Sequence, residues 1–184
     1  LKTALSATAA VMAPTIIPSS ALGRDGAVAP SERIVVGGIG IGNRGTYDLG
    51  CFLEQKDVQF VAVSDIKAAR RTAVKKMVDQ KYGTQGCGMY RDFRELLDRS
   101  DIDAVLIATG PNWHATAAIN AAKAGKDMYC QKPLSLTIGE GRAMSDAVKK
   151  YHRVFQTGSQ QRSDPKFRFA CELVRNGRIG KLHT

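Results

Sequence analysis

A doubly wound α/β fold with a mostly parallel sheet is predicted for this sequence by three observations. Short apolar runs alternate with longer amphipathic segments along most of the chain, the order that parallel strands joined by helical crossovers require. The runs are apolar at successive positions, as in Val105-Leu106-Ile107, so the strands are expected to be covered on both faces. The first run leads straight into a cluster of glycines and then a helical segment, which marks a tight backbone turn at a strand end.

Residues 33–39 form the first predicted strand and residues 58–64 the second, with a helix over residues 43–55 between them despite Gly45 and Gly50. Residues 67–82 form a basic helix with Ala69, Ala73, Met77 and Val78 directed inward, and the glycine-rich residues 83–88 are expected to be a loop. A short helix over residues 93–99 precedes a strand at 103–108 and an alanine-rich helix at 112–124 that Gly125 ends. Residues 127–130 supply another strand. Thr137 and Glu140 have the spacing of a capping box for a helix running to about Lys150. A strand at 154–157 follows. Asp164-Pro165 places an N-cap before a first-turn proline, opening a helix to Asn176 with Gly177 beyond its end, and residues 179–184 are expected to enter a further strand.

The totals suit a globular domain: 43% hydrophobic and 24% charged residues, with a formal charge of +10. Lys and Arg are scattered over amphipathic segments and not gathered with aromatics in a stripe, so a solvated basic surface is expected and nucleic acid is not. Cys51, Cys87, Cys130 and Cys171 lie far apart without histidine at ligand spacing, which predicts buried free thiols and no metal. Residues 1–17 carry one charge, at Lys2, and Ala21-Leu22-Gly23 has the small residues of a signal-peptidase site. An export signal lacking its start is expected, with a disordered non-signal leader as the alternative. The segment is too short and too broken by Pro14 and Pro18 to span a bilayer, so no membrane association is expected after cleavage.

Gly40-Ile41-Gly42-Asn43-Arg44-Gly45 fits G-x-G-x-x-G directly after a strand and at the opening of a helix, the context of a dinucleotide-binding Rossmann fold. Gly40 permits the turn, Gly42 lets backbone approach a pyrophosphate, Gly45 allows close helix packing, and Asn43 and Arg44 begin the helix that faces the anion. Asp65 follows the second strand, where a carboxylate accepts from the adenosine-ribose hydroxyls. That carboxylate would repel a 2'-phosphate, so NAD is expected in preference to NADP. Arg70 and Arg71 could reach a phosphate, although exposed helix charges are the simpler reading. Thr109, Pro111 and His114 follow one strand and Gln131 and Lys132 another, so both clusters fall at the ligand-bearing edge of the sheet.

The succession of this fingerprint, Asp65, the segment from Thr109 to His114, Ala124-Gly125-Lys126 and Lys132-Pro133 resembles the Gfo/Idh/MocA oxidoreductases from about Arg33 onward. Trp113-His114, residues 129–133 and residues 156–163 resemble exported, twin-arginine-targeted members. The resemblance implies three segments: a partial signal and linker at 1–32, the NAD domain at 33–162, and at 163–184 a linking helix and the start of an α+β substrate domain. It implies Lys132 as the acid–base group beside the nicotinamide, although a hydrogen-bonding lysine at a strand end also fits. His114 would lie near the nicotinamide and substrate, or else cap its helix. Gln131 stands where the family usually has glutamate. It would still bind nicotinamide-ribose hydroxyls, and glutamate there is expected to tighten NAD and favour charged Lys132. Gln160 and Arg162 could face the substrate.

The implied activity is hydride transfer between a sugar or cyclitol hydroxyl and NAD, in a homo-oligomer exported to the periplasm. An NAD-dependent glycosidase using transient oxidation and elimination, and a non-catalytic NAD-binding protein, are the alternatives. The family's further catalytic histidine belongs to the second domain and has no counterpart in this sequence.

Overall fold

The computed structural model describes residues 19–24, 28–181 and 183. The chain divides into two units, residues 1–33 and 34–184. In the first, Ser19–Leu22 and Pro30–Glu32 form short 3-10 turns, and Arg33 Nε donates to the Val28 carbonyl at 3.2 Å. The apolar leader, residues 1–17, lies outside the described residues.

The second unit opens with β1 (Ile34–Ile39), α1 (Asn43–Leu53), β2 (Val58–Ser64), α2 (Ala68–Tyr82), β3 (Gly88–Tyr90) and α3 (Phe93–Leu97). It continues with β4 (Ala104–Ile107), α4 (Pro111–Lys123), β5 (Asp127–Gln131), α5 (Ile138–Lys150), β6 (Phe155–Gly158) and α6 (Pro165–Arg175). The strands form one sheet in the order β3-β2-β1-β4-β5-β6, and every pairing is parallel. This is the doubly wound arrangement, and its strand order reverses between β1 and β4.

Two apolar layers cover the sheet. Val36, Leu49, Phe60, Val74, Val78 and Leu106 form the layer beneath α1 and α2. Ile39, Leu96, Val105, Ile107 and the buried alanines of α4 form the other, beneath α3, α4 and α5. Small alanines let α4 lie close to the strands: Ala117, Ala118, Ala121 and Ala122 are all buried. The continuous apolar runs are explained by this double covering, because alternate residues of β1 and β4 enter opposite layers.

Helix starts follow from side-chain chemistry. Thr137 Oγ1 accepts from Glu140 N at 3.2 Å while Glu140 Oε2 accepts from Thr137 N at 3.3 Å, the reciprocal capping box expected of that spacing. Asp164 Oδ1 accepts from Lys166 N at 2.8 Å ahead of Pro165. Thr137→Ala is expected to cost about 1 kcal/mol of stability and to lower the midpoint of a urea melt with its slope unchanged.

Three expectations are corrected. The glycine-rich stretch after α2 ends in β3, a short edge strand with Ala62 opposite Gly88. It has too few residues to show a period, and Met89 is exposed. Residues 179–181 and 183 form no strand, because Gly177 and Gly180 take φ of +66° and +86° and Gly180 N bonds back to the Gly177 carbonyl. Of the four thiols, Cys87 and Cys130 are buried, but Cys51 and Cys171 are exposed on α1 and α6. Burial pushes the Cys87 thiol up to about 11 and the Cys130 thiol to about 12, so both stay protonated at neutral pH. Among the described residues no helix is long and apolar enough to cross a membrane, and no group of His, Cys, Asp and Glu could hold a metal ion.

Candidate dinucleotide site

The backbone leaves β1 and turns at Gly40, whose φ of +70° is costly for any residue with a side chain. Its N–H donates to the Ser64 carbonyl at 2.8 Å, tying the turn to the end of β2. On the other side Thr109 closes in: a Cβ on Gly40 would come within 2.4 Å of Thr109 Cγ2 and 2.7 Å of Thr109 Cα. Gly45, in the first turn of α1, meets the end of β4, where a Cβ would lie 2.9 Å from that of Ala108. The helix can therefore start directly over the sheet edge. Gly42 is the N-cap of α1 with no side-chain cap, so the first amides of the helix are open to an anion.

Asp65 follows β2 and is 6% exposed. Its Oδ1 accepts from Lys67 N at 2.8 Å, and its Oδ2 lies 3.6 Å from Arg70 Nη1. Arg71 Nη1 donates to the Asp65 carbonyl at 2.6 Å. The two arginines are thus committed to Asp65 and are not simply exposed helix charges. A Cβ built on Gly42 would meet the Arg70 guanidinium at 3.3 Å, so this cation lies between the carboxylate and the glycine turn.

At the reversal of strand order these residues open on a cavity of about 620 Å³, lined by Gly40, Asp65 and Thr109 and, farther out, by Ile66, Phe93 and Trp113. A purine would find apolar walls there, with Thr116 and Asn120 as polar groups of the same lining. Asn43 shares a second recess, about 260 Å³, with Gly42 and Arg70. Pro111 is the first residue of α4 and is exposed. Arg44 is engaged within α1: Nη2 donates to Asp48 Oδ1 at 2.7 Å and the guanidinium lies 4.5 Å over the Tyr47 ring. The tight turn, the uncapped helix start and the carboxylate at the rim are the features that the pyrophosphate and ribose of a dinucleotide require.

A second cluster lies past β5. Lys132 is exposed, and its ammonium makes no hydrogen bond or ion pair with any described residue. Its backbone is held firmly. Gln131, 3% exposed, accepts from Lys132 N through Oε1 at 3.2 Å, and Gln131 Nε2 donates to Asp48 Oδ2 at 2.6 Å. His114 Nδ1 lies 2.6 Å from the Pro133 carbonyl and so carries the proton and donates. It does not cap α4. The imidazole is 1% exposed, and its Nε2 has no partner among the described residues. Gln160 Nε2 donates to the Tyr129 hydroxyl at 3.0 Å, while Arg162 is exposed.

The short contact between Gln131 and Asp48 revises what glutamate at position 131 would do. A carboxylate there would face the Asp48 carboxylate at hydrogen-bond distance, and repulsion would oppose any gain in cofactor binding. Sequence reasoning missed Asp48, whose only signal was its i,i+4 spacing from Arg44. It also missed Ile66 and Phe93, which nothing in the local pattern distinguishes from ordinary surface residues.

The model of the oxidoreductase family with an NAD-binding Rossmann fold matches residues 34–159. Myo-inositol 2-dehydrogenase of Thermotoga maritima is 34% identical over 81% of this chain and 43% of its own length. An alpha-N-acetylgalactosaminidase of Shewanella oneidensis is 33% identical over 97% of this chain and 39% of its own. Among solved structures, scyllo-inositol dehydrogenase from Lactobacillus casei with bound NAD(H) and scyllo-inositol has a TM-score of 0.70 at 25% identity, covering 81% of this chain and 43% of that one. The chain spans about two fifths of the length of these relatives. It belongs to the Gfo/Idh/MocA family of oxidoreductases, and its fold is that family's NAD-binding domain.

Proposed function

We propose that this chain is the cofactor half of an enzyme that moves hydride between a secondary alcohol of a sugar or cyclitol and NAD. The observation that carries the proposal is that the Gly40–Gly45 turn, Asp65 and the Lys132 turn all lie at the carboxyl edge of one sheet, with the Lys132 ammonium unpaired among the described residues. When bound, NAD supplies the hydride acceptor or donor at nicotinamide C4. Asp65 would accept from the ribose hydroxyls and the amides opening α1 would hold the pyrophosphate, while Lys132 Nζ, as the free amine, would take the hydroxyl proton as hydride leaves the alcohol and, as the ammonium, return it to the carbonyl oxygen in the reverse direction. His114 holds the Pro133 carbonyl behind that lysine. The inositol dehydrogenases among the relatives support an alcohol substrate of this class.

A glycosidase that oxidises its sugar transiently is the second reading, favoured by the match to the galactosaminidase over 97% of this chain. The full-length enzyme separates the two. Inositols and free sugars should yield net NADH in stoichiometric amounts for a dehydrogenase, whereas cleavage of an aryl glycoside without net NADH would replace that reading with the second. Neither product would leave a non-catalytic NAD-binding protein.

Export to the periplasm by the twin-arginine route, with NAD acquired before translocation, is proposed from the apolar leader and Ala21-Leu22-Gly23. An uncleaved native protein in the cytoplasm would overturn it. Homo-oligomerisation of the full-length protein is proposed with it.

A further inference from the structure

We propose that Asp48 is a positioning residue for Lys132, acting through the Gln131 amide; the proposal rests on Lys132 being the acid–base group. Asp48 on α1 and Gln131 at the end of β5 are 83 positions apart in sequence, yet their side chains meet at 2.6 Å and both residues are buried, 4% and 3% exposed. A primary amide is a donor at one end and an acceptor at the other, whereas an ionised carboxylate only accepts. Asp48 therefore fixes which way round the amide lies. The NH2 group faces Asp48, and Oε1 is left to take the Lys132 N–H at 3.2 Å. Turned over, the amide would oppose donor to donor at Lys132 and acceptor to acceptor at Asp48, leaving buried polar groups unpaired.

The surroundings leave the amide little freedom. Gly158 on β6 packs so closely that a Cβ there would be 3.0 Å from Gln131 Cδ. Arg44 supplies the countercharge at 2.7 Å, as a buried carboxylate requires. On the far side of the turn His114 holds the Pro133 carbonyl at 2.6 Å. The backbone on both sides of Lys132 is thus fixed by buried side chains while its own ammonium stays unpaired. This is the arrangement that an acid–base group on a flexible stem needs if it is to meet a reacting hydroxyl reproducibly.

The arrangement works with one carboxylate and one amide in the pair, and fails with two carboxylates. Glutamate at 131 would bring two carboxylates to hydrogen-bond distance, and the pair would hold a shared proton into the neutral range. Among the described residues the titratable groups shown to act on the pair are Arg44 on α1, which bonds Asp48, and Tyr129 on β5, which feels the Asp48 charge. Burial first, and the Asp48 charge second, push the Tyr129 hydroxyl up, so it stays neutral across that range.

Amide hydrogen exchange on the full chain, read residue by residue by NMR, tests the proposal without turnover. Asp48→Leu should lower the protection of the Lys132 N–H by about 10-fold or more, the scale of one lost hydrogen bond, while Leu106 in the centre of the sheet keeps its protection. Gln131→Glu should protect Lys132 N–H less at pH 8 than at pH 6, and Asp48→Asn/Gln131→Glu, which exchanges the charge between the two positions, should restore protection at both pH values. Unchanged protection in Asp48→Leu, or equal loss at Lys132 and Leu106, overturns the proposal. If Asp48→Leu does not fold, the exchanged pair decides alone: no restoration over Gln131→Glu overturns it. Failure of the acid–base reading would show separately, as full turnover in Lys132→Met with the Lys132 amide still protected.

Discussion

Lys132→Met in the full-length protein is expected to lower turnover by about 10²-fold or more, the usual scale of a lost acid–base group, while NAD affinity stays nearly intact. Cofactor binding and chemistry should separate because the ammonium has no partner among the described residues, whereas the backbone around it is held by Gln131 and His114. Methionine keeps the length of the stem and breaks no hydrogen bond, so stability should change by less than about 0.5 kcal/mol. Steady-state kinetics with NAD calorimetry measures both quantities. Loss of NAD binding with no separate effect on turnover would make Lys132 a structural residue.

Gly40→Val is expected to abolish NAD binding and to cost about 3 kcal/mol or more of stability, the scale of core overpacking joined to a forbidden backbone conformation. The new Cβ would need φ of +70° and would press on the Cα of Thr109, which cannot yield without moving the end of β4. Gly42→Val should behave differently. The nearest atoms to its Cβ belong to the flexible Arg70 guanidinium, so the fold should survive while the pyrophosphate path is closed. Urea melts and NAD titration on both variants distinguish a broken turn from a blocked one.

Much of the fold was legible because its strands are covered on both faces. Double covering demands apolar residues at successive positions, and the runs ending at Ile39, Ser64 and Ile107 show it without help from the helices. Caps were legible for the same local reason: Thr137 with Glu140 and Asp164 with Pro165 carry their chemistry within one helical turn. The short edge strand β3 was not, since three residues beside β2 owe their conformation to pairing across the sheet. In the site, the glycines and Asp65 could be placed from motif and spacing. What could not be placed was contact between distant segments. The Arg70 guanidinium beside both Asp65 and Gly42, the His114 bond to Pro133 and the meeting of Asp48 with Gln131 all depend on the helix-over-sheet packing that brings them together. The Gln131 case shows the consequence: its departure from glutamate looks like a loss in the sequence, but in the fold it is the neutral partner that a buried aspartate requires.

We propose that Asp65 receives the adenosine ribose of NAD at the rim of the cavity between β1 and β4. The most direct test is calorimetric titration of NAD and NADP into the chain and into Asp65→Asn. Asparagine retains an oxygen for the Lys67 N–H, which Asp65 Oδ1 now holds at 2.8 Å, so the turn after β2 should persist. It removes the charge that the ribose hydroxyls would meet and releases Arg70 from its ion pair. NAD should weaken by about 10-fold or more, as expected for lost hydrogen bonds to a charged group, while NADP holds steady or tightens as the freed guanidinium meets its 2'-phosphate. Equal weakening of both cofactors, or of neither, would contradict the placement of Asp65 at the ribose.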